Sequence, residues 1–176
     1  MKSTVSGAGA LCLGLLVMSA TAQACPGEGV VMSAGKAFTV AARSGSASAF
    51  LSAASRHADV RAIAMFALGP HRKKLTPAQQ AEYLQLSRAF MGKVMAKYAD
   101  RFKAEGLRIV SCSGSTITAE ANGGRKIIFR VDGGRLRDVN VSSVWLAGQM
   151  RSTFVGIINR NNGDVVALLN YLRDRT

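Results

Sequence analysis

Apolar side chains along this chain recur first at helical spacing, then alternate as in strands, and then return to helical spacing. Residues 28–54 are rich in Ala, Ser and Gly and weakly helical, with Gly45 expected to separate two short helices. Asp59 is placed to cap a helix through Leu68, which Gly69-Pro70 ends. His71-Arg72-Lys73-Lys74 then reads as a basic loop. Thr76-Pro77-Ala78-Gln79 is a strong helix start: a hydroxyl cap, Pro at the first helical position, and Gln three residues after the cap. The helix that follows carries Tyr83, Leu84, Leu86, Phe90, Met91 and Val94 near helical spacing. It is expected to reach about Tyr98 or Phe102 and to stop by Gly106.

The period then changes to two. Residues 107–112, 115–121, 125–131 and 136–141 are short β-rich runs. Ser113-Gly114, Asn122-Gly123-Gly124 and Asp132-Gly133-Gly134 separate them and are hairpin material. The runs predict a four-stranded antiparallel meander. Ile127, Phe129 and Val131 share one face, and Lys126, Ile128 and Arg130 the other. Val139 and Val141 point together on the last strand, so one face is apolar and needs cover.

Ser142-Ser143 reads as a cap pair for a second long helix with the stripe Leu146, Met150, Phe154 and Ile157, joined by Ile158. Asn161-Asn162-Gly163 breaks that helix, and a last one carries Val165, Val166, Leu168, Leu169 and Leu172. Helices, then an antiparallel sheet, then helices predict an α+β fold with the helices on one sheet face.

The first residues read differently. Lys2, an apolar run over 8–20 and the small-x-small triplet Ala22-Gln23-Ala24 have the layout of a secretory signal peptide cleaved after Ala24. The run is shorter than the roughly 20 residues of a membrane span. The expected organisation is therefore a leader of residues 1–24 and a single exported domain of residues 25–176. Export leaves Cys25 and Cys112 in an oxidising space, where two thiols can pair. The alternative is an exposed thiol at the N-terminus and a buried Cys112.

Composition removes several functions. The 176 residues are 48% hydrophobic, too apolar for disorder, with a net charge of +13. No nucleophile elbow, HExxH, CxxC, phosphate loop or dinucleotide glycine motif occurs, so neither an enzyme nor a cofactor or metal is expected. His57 and His71 lack a nearby carboxylate cluster and are expected in solvated or capping roles. Lys and Arg are spread over almost every element, and stacking aromatics are scarce, which argues against nucleic acid. The charge suits anionic membrane surfaces or lipid head groups instead.

Several segments, in this order, resemble one family. They are Leu68-Gly69 with the basic loop, Leu75-Thr76-Pro77-Ala78-Gln79-Gln80 with Tyr83 and Phe90, Asp138-Val139-x-Val141, Val144-x-Leu146, Arg151 and Phe154, and the terminal helix. The sequence is similar to the MlaC (toluene-tolerance) family of periplasmic lipid carriers, which has a hopanoid-associated branch. The resemblance implies a non-catalytic shuttle that carries phospholipid between an inner-membrane ABC transporter complex and an outer-membrane lipoprotein. It implies an apolar space between sheet and helices, floored by Phe129, Val131, Val139 and Val141. Phe66, Tyr83, Leu86, Phe90, Leu146, Met150, Phe154 and Ile157 would wall it. Arg72, Lys73 and Arg151 would serve the head group or a docking partner. Two partly sheathed tails would supply more than about 10 kcal/mol before association costs, at about 0.8 kcal/mol per methylene. Where members commonly carry an aromatic, a Gly, a Tyr and a small residue, this chain has Arg72, Ser143, Met150 and Trp145. Trp145 and the missing aromatics leave open a filled, ligand-free adaptor of the same fold.

Overall fold

Caps that the sequence carries set the first helices of the chain, described here over residues 25–121 and 123–176 of a computed structural model. The expected leader lies outside the described residues. Helix α1 (Glu28–Ser44) ends at Gly45, which takes a left-handed conformation with φ 63°. Ser46 caps α2 (Ala47–His57) by accepting the Ala49 N–H, and Asp59 caps α3 (Val60–Ala67) by accepting the Ala62 N–H at 2.9 Å. The basic segment expected as a loop winds instead into a 3-10 turn, Gly69–Lys74. Thr76 and Gln79 form a reciprocal capping box at the start of α4 (Pro77–Lys97), and a short 3-10 turn, Ala99–Phe102, follows it. Gly92 lets α2 and α4 cross closely: a Cβ there would lie 2.9 Å from the Ala47 carbonyl oxygen.

The sheet has five antiparallel strands in the order β1-β2-β3-β4-β5: β1 (Arg108–Ser113), β2 (Thr116–Ala121), β3 (Arg125–Asp132), β4 (Arg135–Val141) and β5 (Val144–Trp145). The fifth strand replaces the expected helix cap. Ser142 and Ser143, with φ 52° and 65°, are the centre of a two-residue turn that pairs Asn140 with Trp145 and Val141 with Val144. Positive φ at both central residues is the hairpin geometry that matches the twist of the flanking strands. Helix α5 (Leu146–Arg160) therefore leaves directly from β5, and α6 (Val165–Arg173) starts at Asp164, whose carboxylate accepts the Val166 N–H.

Register makes one sheet face apolar. Ile117 lies opposite Phe129, and Phe129 opposite Val139; Ile127 lies opposite Val141. A register shift leaves Arg137 as the extra residue between the Arg130–Asp138 and Val131–Leu136 pairs, so Leu136 also turns to that face. The α2–α3 junction is tied to β4: the Asp59 N–H donates to the Leu136 carbonyl at 3.0 Å, and Arg135 donates to the Ser55 and Ala58 carbonyls. Cys25 and Cys112 form a disulfide, with Cα atoms 5.8 Å apart, which pins the start of α1 to β1.

Burial resolves into distinct cores. One lies on the sheet and includes Val31, Ala34, Ile117, Ile127, Phe129 and Leu136. A second lies among the helices, where Tyr83, Phe154, Ile157 and Ile158 meet Val165, Leu168, Leu169 and Leu172 of α6. Helix α4 serves both: Tyr83, Leu84, Leu86 and Phe90 pack toward α6, while Met91 and Met95 lie over the sheet. A smaller cluster joins α1 to α2 through Phe50, which contacts Phe38 and Phe102.

Candidate lipid-binding cavity

The apolar sheet face is not filled. A cavity of about 290 Å³ separates it from the second half of α4 and the first half of α5. Phe129, Leu136, Val139 and Val141 line its sheet side, and Phe90, Met91, Val94, Met95, Leu146 and Met150 its helical side. Phe38, Phe102 and Ala104 line it from α1 and the chain after α4, and Ala54, Ala58, Val60 and Ile63 from α2 and α3. Val94 is 37% exposed, and Arg101 and Gln149 are exposed too, so these lining residues mark the mouth.

Polar lining groups are few. Asp138 is buried, and its Oδ1 accepts the Val139 N–H at 2.8 Å and the Ala147 N–H at 2.9 Å. The Thr153 hydroxyl donates to the Gln149 carbonyl at 3.0 Å. Arg101 supplies the one cationic side chain among the lining residues. Such a space can hold hydrocarbon. Among the described residues no group of His, Cys, Asp and Glu could hold a metal ion, and no helix is long and apolar enough to cross a membrane.

The family described as MlaC protein matches residues 31–174. The chain belongs to the MlaC family. MlaC proteins are periplasmic, non-catalytic lipid carriers. The MlaC fold is also seen in the phospholipid-binding protein from Ralstonia solanacearum, solved in complex with a phospholipid. That structure is 16% identical, has a TM-score of 0.69, and covers 85% of this chain and 96% of its own. No curated protein matches the sequence.

Within this MlaC chain, six of the twelve residues expected to bind lipid line the cavity: Phe90, Phe129, Val139, Val141, Leu146 and Met150. Tyr83, Leu86, Phe154 and Ile157 do not. They belong to the helical core, which the apolar face of α6 closes. Val131 stays on the apolar sheet face but beside Gly27, where α1 begins, and does not line the cavity. Phe66 is 45% exposed and lines an adjoining hollow of about 220 Å³ with Arg130 and Arg137, which shares Ile63, Asp138 and Ala147 with the cavity.

The basic residues expected to serve the head group or a docking partner do not line the cavity. Arg72 and Lys73 are exposed on the 3-10 turn, and the Arg151 guanidinium sits 4.9 Å above the Phe66 ring. His71, expected in a solvated or capping role, is buried, with Nε2 3.0 Å from the Asn159 Oδ1. Trp145 does not fill the cavity; its ring carries the Arg130 guanidinium 4.0 Å above it.

Lining residues that the periodicity did not single out include Phe38, Ile63, Met95, Phe102 and Leu136. Met91 and Met95, one turn apart after Phe90, are the local signal for this face of α4. Leu136 turns inward only because the bulge at Arg137 changes the parity of β4.

Proposed function

We propose that this protein is an exported carrier that shuttles a phospholipid between inner- and outer-membrane transport components, with acyl chain held in the sheet–helix cavity. The observation that carries this reading is an open space lined almost wholly by hydrocarbon, where a soluble domain would otherwise pack to crystal-like density. Its volume of about 290 Å³ is on the scale needed to take up acyl chain. Each sheathed methylene supplies about 0.8 kcal/mol before the costs of association. Met91, Met95 and Met150 give the walls unbranched side chains that can re-pack around tails of different length.

The remaining parts of the reading follow from export and charge. Removal of residues 1–24 would release the carrier as residues 25–176, a single domain. Its excess of basic residues favours approach to anionic partner surfaces, with the exposed Arg72 and Lys73 available for docking to the inner-membrane ABC transporter complex or the outer-membrane lipoprotein. Trp145, which left open a filled, ligand-free adaptor, lies outside the cavity.

The test is co-purifying lipid. The exported chain is purified without detergent, extracted with organic solvent and analysed by mass spectrometry. Phospholipid near one molecule per protein is expected. Hopanoid in its place would move the chain to the sister branch, and absence of any lipid would overturn the carrier reading.

A further inference from the structure

We propose that Arg101 forms a phosphate-binding subsite at the cavity mouth and selects lipids whose head group carries a phosphate. This inference rests on the reading of the cavity as an acyl-chain site. A tail buried in hydrocarbon leaves its polar end at the opening, among Val94, Arg101 and Gln149.

Arg101 is suited to meet it. It is exposed, and among the described residues no carboxylate pairs with it. Its guanidinium lies 5.7 Å from the centre of the Tyr98 ring, and the Lys97 ammonium lies 5.7 Å from the same ring. The ring steadies both cations without neutralising either. The neighbouring acids are already engaged: Asp100 with Lys103 at 2.7 Å, and Glu105 with Arg43 at 2.9 Å. A guanidinium can offer a phosphate two parallel N–H donors, which gives direction as well as charge.

The other cationic hollow is a poorer choice. Neither of its arginines lines the tail cavity: both terminal nitrogens of Arg137 are taken by Asp59 and Asp132, and the Arg130 guanidinium lies 4.0 Å over the Trp145 ring.

The experiment is a competition between dioctanoyl phosphatidylglycerol and dioctanoylglycerol, which have the same tails and differ in the phosphate-bearing head. Delipidated protein is incubated with both, separated from free lipid, and its bound ratio read by mass spectrometry. The wild type is expected to prefer the phospholipid by about tenfold or more, the scale of a charge-assisted hydrogen bond. Arg101→Gln should bring the ratio close to parity while total bound lipid is kept, Arg101→Lys should keep part of the preference, and Arg160→Gln, at an exposed arginine outside the cavity lining, should leave it unchanged.

Equal binding of the two lipids by the wild type, or an unchanged preference in Arg101→Gln, would overturn the subsite and leave the carrier reading standing. Binding of neither lipid would overturn both. Inorganic phosphate has no tail and should displace neither lipid; displacement would make this a free-phosphate site and overturn the head-group assignment.

Discussion

The Asp138 carboxylate in β4 accepts the backbone N–H of Ala147 in α5 at 2.9 Å. The two residues are nine apart in sequence, so a strand side chain caps a helix across the β4–β5 hairpin. It does the work expected of Ser142 and Ser143, which the hairpin turn consumes. The same oxygen accepts the Val139 N–H, and Val139, Leu146 and Ala147 all line the cavity. Asp138→Ala should therefore cost about 1–3 kcal/mol, the range for leaving buried donors unsatisfied. Asp138→Asn keeps the acceptor oxygen and should cost less. Urea denaturation of the two variants checks the order.

Phe154 and Val139 separate stability from binding. Phe154 is fully buried in the helical core, with ring centres 6.2 Å from Tyr83 and 5.6 Å from Phe90. Phe154→Ala should cost about 3–5 kcal/mol, and Phe154→Asp should prevent folding rather than report on lipid. Val139 faces free space, so Val139→Phe should fold normally and lower retained lipid several-fold by occupying the tail's volume. Thermal melts and lipid extraction, run on the same samples, distinguish the two effects. A folded Val139→Phe protein with full lipid would remove this residue from the site.

The disulfide joins residues 87 apart in sequence. Loop-closure entropy for such a span predicts a stabilisation of about 4–5 kcal/mol. Reduction, or a Cys25→Ser/Cys112→Ser double variant, should lower the denaturation midpoint by a matching amount. The bridge lies away from the cavity lining, so lipid loading of the folded fraction should persist.

Tyr83 gives the chain an alkaline limit. Its hydroxyl donates to the Ala64 carbonyl at 2.6 Å, and burial pushes the phenol well above its ordinary range. The folded state therefore holds the proton more tightly than the unfolded state. This contribution is fully present below the ordinary tyrosine pKa of about 10 and is lost as pH rises above it. Tyr83→Phe should flatten that part of the stability profile while losing about 0.5–1.5 kcal/mol at neutral pH with the hydrogen bond. Denaturation midpoints measured from neutral to strongly alkaline pH test the difference.

Local chemistry was legible along the chain. The Thr76–Gln79 box, the Asp59 cap, the Gly45 stop and the glycine-containing hairpin turns act over a few residues, so the order of helices and strands could be read before any tertiary contact was known. Alternation identified Ile127, Phe129, Val139 and Val141 as the covered side of the sheet, and the ordered segments resembled the right family. Tertiary structure decided the rest. Helical period tells which side of α5 turns inward, but it does not say whether a residue meets another helix or an opening. Phe154 and Ile157 meet α6, while Leu146 and Met150, earlier on the same stripe, meet the cavity. The inward turn of Leu136, the remote cap from Asp138 and the placing of Arg101 at the mouth depend on strand register and helix packing. Those are distances between parts far apart in sequence, and spacing along the chain does not encode them.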